Sequence, residues 1–233
     1  MIKVVSFKIC PFVQRVTALL AAKNIPFEVE YISLKNKPQW FLQVSPNGQV
    51  PLLVTDNGSA LFESDAIIEY IEEAYPALES NVSFEQKALD RAWSYLATKH
   101  YLTQCSVMRS KDQTTFSERN DKLMSAFAKI EQQLTGTGFF KGNHMSLVDI
   151  AWLPLLHRAH IIETHTGYDF FNKLPNVKAW QQRIVNSAIT IESVADDFES
   201  AFREFYLSNT TWLGNGFTDC TTVGAPCQTS SCC

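Results

Sequence analysis

IKVVSFKICPFVQRVTALL, residues 2–20, is the stretch that decides the fold. Residues 2–7 are β-branched and apolar enough for a buried strand. Phe12, Val16, Leu19 and Leu20 then recur at helical spacing. Asn24-Ile25-Pro26 closes that helix, because the residue before a proline is pushed out of helical backbone. Cys10 falls at the junction, where the strand ends and the helix begins. A helix N-terminus exposes unpaired N–H groups and the positive end of its dipole, so it favours an anion. A thiolate placed there is stabilised, and the thiolate is the reactive form. Pro11 suits the first helical turn, having no N–H to leave unpaired. Position 13 is Val, so no CxxC pair exists and the chemistry expected is monothiol. Taken alone, Cys-Pro reads more readily as a buried, inert cysteine.

Outward from that stretch, Phe27, Val29 and Tyr31 alternate with Glu28 and Glu30, as in a half-buried strand. Pro46-Asn47-Gly48 is a turn. A short strand follows at Pro51-Leu52-Leu53-Val54, and Asp56-Asn57-Gly58 makes a hairpin into Ala60-Leu61-Phe62. A helix starts near Ser64 and stops before Pro76. The order is β-α-β, then β-β-α. Beyond a polar stretch, helical periodicity runs almost throughout. Its stripes are Leu89, Ala92, Trp93 and Leu96; Leu123, Phe127, Ile130 and Leu134; Val177, Trp180 and Ile184; and Ile191, Val194, Phe198, Phe202 and Phe205. Ser146-Leu147-Val148-Asp149 has the spacing of a capping box, with Met145 and Ile150 as its staple. Pro154 is expected to kink the helix it opens.

The fold class expected is α+β: a thioredoxin-like βαβ-ββα domain (residues 1–78), a linker (79–84), an all-helical bundle (85–207) and a Cys-rich, loosely packed tail (208–233). The chain has 233 residues, 45% of them hydrophobic and 19% charged, which suits a globular protein with a sizeable core. A net charge of -4 speaks against a nucleic-acid binder. No run approaches the roughly 20 apolar residues that span a bilayer. No secretory signal pattern is visible, so a cytoplasmic, reducing setting with no membrane partner is expected.

Two further motifs bear on Cys10. Gln49-Val50-Pro51 reads as a tight turn with a cis proline, which would turn the Val50 backbone toward an extended peptide. At Glu63-Ser64 a helix N-terminus and hydroxyl suit a carboxylate, while Glu63 suits an ammonium group. A thiol, a peptide-pairing turn and a zwitterion clamp, in that order, describe the parts of γ-glutamyl-cysteinyl-glycine.

On these residues the chain resembles cytosolic glutathione transferases, most closely the omega class. The resemblance rests on residues 10–15 (CPFVQR), 33–41 (SLKNKPQWF), 46–53 (PNGQVPLL) and 62–67 (FESDAI), and extends to about residue 205. It implies that Cys10 forms the mixed disulfide, with Phe12 beside it. Leu34 and Lys37 would line the glycine end of glutathione, although residues 35–37 alone read as a solvated loop. Val50 would pair with the cysteinyl backbone, Pro51 would shape the turn, and Glu63 and Ser64 would hold the γ-glutamyl group. Ser146 and Asp149 would be structural.

The activity implied is glutathione-dependent thiol transfer, extending to deglutathionylation and dehydroascorbate reduction, with glutathione as co-substrate. The rivals are conjugation or reductive deglutathionylation of an electrophile, and a non-catalytic binding protein of the same fold. A homodimer is also implied. Tyr95, His100, Trp152 and His157 are candidates for the second-substrate cleft. The five histidines make no convincing metal set. Cys220, Cys227, Cys232 and Cys233 depart from the family pattern. A metal site, lipid attachment, a resolving thiol and adventitious thiols all stay open for them.

Overall fold

A computed structural model describes residues 1–135 and 137–220. Strand β1 (Ile2–Ser6) leads into helix α1 (Pro11–Ala22) and strand β2 (Phe27–Tyr31). After α2 (Gln39–Val44) come β3 (Leu52–Val54), β4 (Ala60–Phe62) and α3 (Ser64–Ala74). The four strands lie in the order β2-β1-β3-β4. β1 pairs parallel with β2, with Val4 opposite Val29, and antiparallel with β3, with Val4 opposite Leu53. Central β1 is thus walled on both sides, and Val4 and Val5 are fully buried. β2 is an edge, and its Tyr31 is exposed.

The remaining elements are helical: α4 (Phe84–Met108), α5 (Gln113–Glu131), α6 (Leu147–Thr166), α7 (Pro175–Val185), α8 (Ala188–Glu192) and α9 (Phe198–Tyr206). The capping box at the head of α6 is fully formed. Asp149 accepts from Ser146 N–H (2.8 Å) and Ser146 Oγ (2.6 Å). It also accepts from Phe140 N–H (2.8 Å) and Trp180 Nε1 (2.7 Å), so one buried carboxylate ties α6 to the preceding loop and to α7. α6 continues through Pro154 as one helix.

Several expectations need correction. Helix α2 carries no sequence signal, because its six residues fall below the length at which helical periodicity is legible. On α4 the apolar residues Leu89 and Ala92 are exposed, while Asp90, Ser94, Ala97, Thr98 and Tyr101 face inward. Polar groups can take that inner face because each finds a partner. Ser94 Oγ donates to Asp90 O (2.8 Å), and Asp90 pairs with Lys141 at 2.6 Å. The stripe from Ile191 to Phe205 breaks between α8 and α9, leaving Ile191 72% exposed.

The segment after Ser208 is not loose in its first part. Thr211, Trp212 and Leu213 are buried. Trp212 N–H donates to Ser110 O and Cys220 N–H to Lys111 O, each at 2.8 Å. Trp212 stacks near Phe116, with ring centroids 4.4 Å apart. Aromatic burial therefore outweighs the polar composition that suggested a flexible tail. Cys227, Cys232 and Cys233 lie outside the described residues.

Candidate active site

Cys10 is the N-cap of α1, in extended backbone (φ -73°, ψ 124°), with Pro11 at the first helical position. The first intrahelical bond runs from Gln14 N–H to Cys10 O at 3.1 Å. The N–H groups of Phe12 and Val13 therefore precede the helical ladder and supply the positive end of the helix. The Cys10 side chain is 1% exposed and makes no disulfide.

A cavity of about 170 Å³ opens beside this turn, lined by Phe12, Asn47, Gln49, Val50, Pro51, Glu63, Ser64 and Leu102 among others. Its floor comes from the turn before β3, where the Val50–Pro51 bond is cis. The β3 ladder starts at Leu52, so no backbone hydrogen bond among the described residues engages Val50 N–H or C=O. Its far wall is the head of α3. Ile67 N–H reaches Glu63 O at 3.0 Å, which leaves the N–H groups of Ser64, Asp65 and Ala66 outside the ladder. Ser64 is 5% exposed, and no hydrogen bond to its hydroxyl occurs among the described residues.

Glu63 occupies left-handed backbone at φ 67° and ψ 118°. Its Oε1 accepts from Asn47 Nδ2 at 2.7 Å. A non-glycine residue held at positive φ stores strain, and such strain clusters at ligand sites. The cavity thus presents a backbone able to pair with a peptide, a carboxylate, a hydroxyl and a helix N-terminus. Those four suit an α-amino acid carried on an extended peptide.

Phe12, Val50, Pro51, Glu63 and Ser64 therefore come together on one wall system, and Cys10 lies one turn away without lining it. Cys10 borders a separate space of about 10 Å³ shared with Lys8, Gln14, Thr17, Tyr31 and Ser193. Leu34 packs against the core. The Lys37 ammonium lies beside the turn at Gly48, 3.8 Å from where a Cβ would sit. Neither residue lines the cavity. Asn47, Gln49 and Leu102 were not singled out from sequence. Asn47 was read only as a turn residue, and the Asn-Gly signal hides a side-chain role.

The second-substrate candidates disperse. Trp152 is fully buried in the helical core, 5.4 Å from Phe127 and 6.0 Å from Trp180, with Nε1 donating to Trp93 O. It cannot face a cleft, because it fills the packing between α4 and α7. Tyr95 is exposed on α4, and His100 Nδ1 bonds Leu96 O of its own helix at 2.7 Å. Neither lines the cavity between Phe12 and Ser64. His157 does lie at the seam between the domains. Gln14 Nε2 is 2.9 Å from its Nδ1, and its ring stacks on Phe198. Burial, aided by Arg158, lowers its pKa to about 3, so it is neutral at physiological pH.

A second cavity, of about 540 Å³, lies between the end of β1, the end of β2 and α9. Phe7, Ile9, Ile32 and Phe205 give it apolar walls, and Lys8 and Glu204 stand among them. Among the described residues, no group of three or more His, Cys, Asp or Glu side chains is arranged to hold a metal ion. No described helix is long and apolar enough to cross a membrane. Cys220 Sγ lies 3.4 Å from Asn209 O, on the segment anchored to the α4–α5 turn.

Comparison with known proteins identifies the family and the fold. A family model described as glutathione S-transferase, N-terminal domain, matches residues 9–74, and its C-terminal counterpart matches residues 86–188. Glutathione S-transferase omega-1 of Sus scrofa is 32% identical over 214 residues, covering 90% of this chain and 87% of that one. A probable glutathione S-transferase DHAR1, cytosolic, of Oryza sativa subsp. japonica is 30% identical over 80% of this chain and 84% of its own length. Among solved structures, glutathione transferase Omega 3C of Trametes versicolor superposes with a TM-score of 0.72 at 24% identity, over 84% of this chain and 89% of that one. Rice GST1 in complex with glutathione gives a TM-score of 0.74 at 21% identity, over 88% and 94%.

Proposed function

The chain belongs to the glutathione S-transferase family, and on that premise we propose that it is a glutathione-dependent thiol transferase with Cys10 as its monothiol nucleophile. The observation that carries the reading is a cysteine at the N-cap of α1, next to a cavity whose groups match a γ-glutamyl peptide. In the first step the Cys10 thiolate attacks the glutathionyl sulfur of a mixed disulfide. The substrate leaves as a thiolate, and a Cys10–glutathione disulfide forms. In the second step the thiolate of another glutathione attacks that bond, releasing glutathione disulfide and restoring Cys10. No neighbouring thiol stands at CxxC spacing to take over the second step.

Glutathione would sit with its cysteinyl backbone along Val50 and its γ-glutamyl head between Glu63 and Ser64. Leu34 and Lys37 would meet the glycine end from outside this cavity, the Lys37 ammonium already standing beside the turn at Gly48. The larger cavity beside α9 suits the acceptor, and Ile9 links it to Cys10. Dehydroascorbate is the first acceptor to assay, with an aromatic electrophile second because Phe7 and Phe205 line that space.

A homodimer in a reducing, cytoplasmic setting completes the proposal. Support for the second copy comes from exposed apolar residues on β4 and α4, with Phe62 39%, Phe84 86% and Leu89 54% exposed. Sedimentation at micromolar concentration tests it, and a monomer would refute it. For the reaction itself, Cys10→Ser should abolish disulfide exchange. Exchange retained by that variant would refute the mechanism.

A further inference from the structure

Arg158, on α6, is fully buried. Its Nη2 donates to Ile9 O at 2.9 Å, on the peptide bond that joins Ile9 to Cys10. Its Nη1 donates to Gln14 Oε1 at 2.5 Å and Pro154 O at 2.9 Å. Its guanidinium stands 5.4 Å from the centroid of the Phe198 ring. All of these partners are neutral. Among the described residues, no carboxylate lies within ion-pair distance of it.

Three other cations drawn into the protein each pair with a carboxylate. Arg15 pairs with Asp65, Lys23 with Glu72, and Lys141 with Asp90 and Glu79. An arginine cannot discharge itself by losing a proton. A buried, unmatched guanidinium is therefore costly unless something nearby bears the opposite charge.

We infer that Arg158 is a positioning residue for Cys10: its buried guanidinium, lacking a carboxylate and fixed on the Ile9 carbonyl, keeps the Cys10 thiol in its thiolate form. The inference rests on the reading of Cys10 as the nucleophile. It adds that the thiolate is the anion this cation otherwise lacks.

The other groups around Cys10 do not supply that balance. Arg15, on the same helix, is matched by Asp65 of α3. Lys8, before α1, is matched by Asp197 ahead of α9 at 2.5 Å. Tyr31 of β2 and Tyr101 of α4 are held un-ionised by burial. His157 of α6 is neutral. Arg158 is the unmatched charge of the set. Gln14 fixes its direction, since the amide also bonds His157 and Ser193 Oγ (3.2 Å), which locks α1 to α6 and the end of α8.

The test is a pH titration of thiolate absorbance near 240 nm, taken as the difference between each protein and its Cys10→Ser counterpart. The wild-type midpoint should fall below the ordinary cysteine value of about 8.5. Arg158→Met should raise it by about one unit, a tenfold fall in thiolate on the acid side of the midpoint. Gln14→Glu keeps the guanidinium and its hydrogen bond but supplies the missing carboxylate, and should shift the midpoint the same way. Arg158→Lys, which retains the charge, should stay near wild type.

A wild-type midpoint at or above 8.5 would overturn the inference. So would a folded Arg158→Met or Gln14→Glu protein that titrates like wild type. Should Arg158→Met fail to fold, Gln14→Glu alone decides. The titration needs no glutathione, so shifted midpoints support the role of Arg158 even if the protein catalyses no exchange.

Discussion

Replacing Glu63 with glycine should make the protein bind glutathione less well and yet melt slightly higher. Glu63 holds φ 67° and ψ 118° at the N-cap of α3, a conformation that costs a side chain about 1–3 kcal/mol. Glycine escapes that strain, but its freer unfolded chain returns about 0.5–1 kcal/mol. The Asn47 Nδ2 bond to the carboxylate is also lost, about 0.5 kcal/mol for an exposed contact. At the middle of these ranges the net is a gain of about 0.75 kcal/mol, or about 1.5–3 °C in Tm for a chain of this size. Glu63→Ala sharpens the experiment, because alanine loses the same hydrogen bond but keeps the strain. The glycine variant should therefore exceed the alanine variant by about 1 kcal/mol, the reverse of their usual order.

Both variants remove the proposed acceptor for the γ-glutamyl ammonium. A charge-assisted hydrogen bond contributes about 1.5–3 kcal/mol, and exposure of Glu63 places the effect at the low end. Kd for glutathione should rise about tenfold. Thermal unfolding by circular dichroism reads the first effect and isothermal titration the second. A glycine variant that melts at or below the alanine variant would refute the strain argument. Unchanged glutathione affinity in both would refute the clamp.

Asp149→Ala should cost about 4 kcal/mol in urea unfolding, since it removes the α6 cap and strands the buried donors Ser146 N–H and Trp180 Nε1; a loss under 1 kcal/mol would contradict that role. Trp212→Ala should cost about 3 kcal/mol, because the indole packs against Phe116 and Phe217; a neutral result would return residues 208–220 to the status of a loose tail. His157 is neutral in the folded protein, with its pKa lowered to about 3, while the unfolded chain takes up a proton below about 6.5. Its contribution is thus intact above pH 6.5 and drains away as pH falls toward 3, at a slope of at most about 1.4 kcal/mol per unit. His157→Gln should flatten that slope, and identical slopes between pH 6.5 and 4.5 would refute the assignment.

The N-terminal domain was legible because each local signal agreed with the next. Proline closed α1, Asn-Gly turned the hairpin, and Cys-Pro marked a helix start. The Ser146–Asp149 box was legible for the same reason, since capping is a short-range transaction. What stayed hidden depends on facing and on long-range partners. Asp90, Ser94 and Thr98 occupy the buried side of α4 because other groups satisfy them, which periodicity cannot register. Trp152 is a cleft candidate in the sequence because helix facing is not legible there, whereas its position is fixed by Phe127 and Trp180 from other helices. Arg158 carried no signal at all, because its meaning comes from Ile9 and Gln14, more than 140 residues away in sequence. Phe12, Val50, Pro51, Glu63 and Ser64, an ordered set in the sequence, line one cavity in the structure, but Cys10 stands behind its wall rather than on it.

The central claim is that Cys10 takes the glutathionyl group. Incubating the full chain with glutathione disulfide, then mapping modified peptides by mass spectrometry without reduction, tests it most directly. The expected result is one glutathionyl group on Cys10, removed by added glutathione and absent from the Cys10→Ser variant. A wild-type chain left unmodified at Cys10, with the adduct on another cysteine, would contradict it.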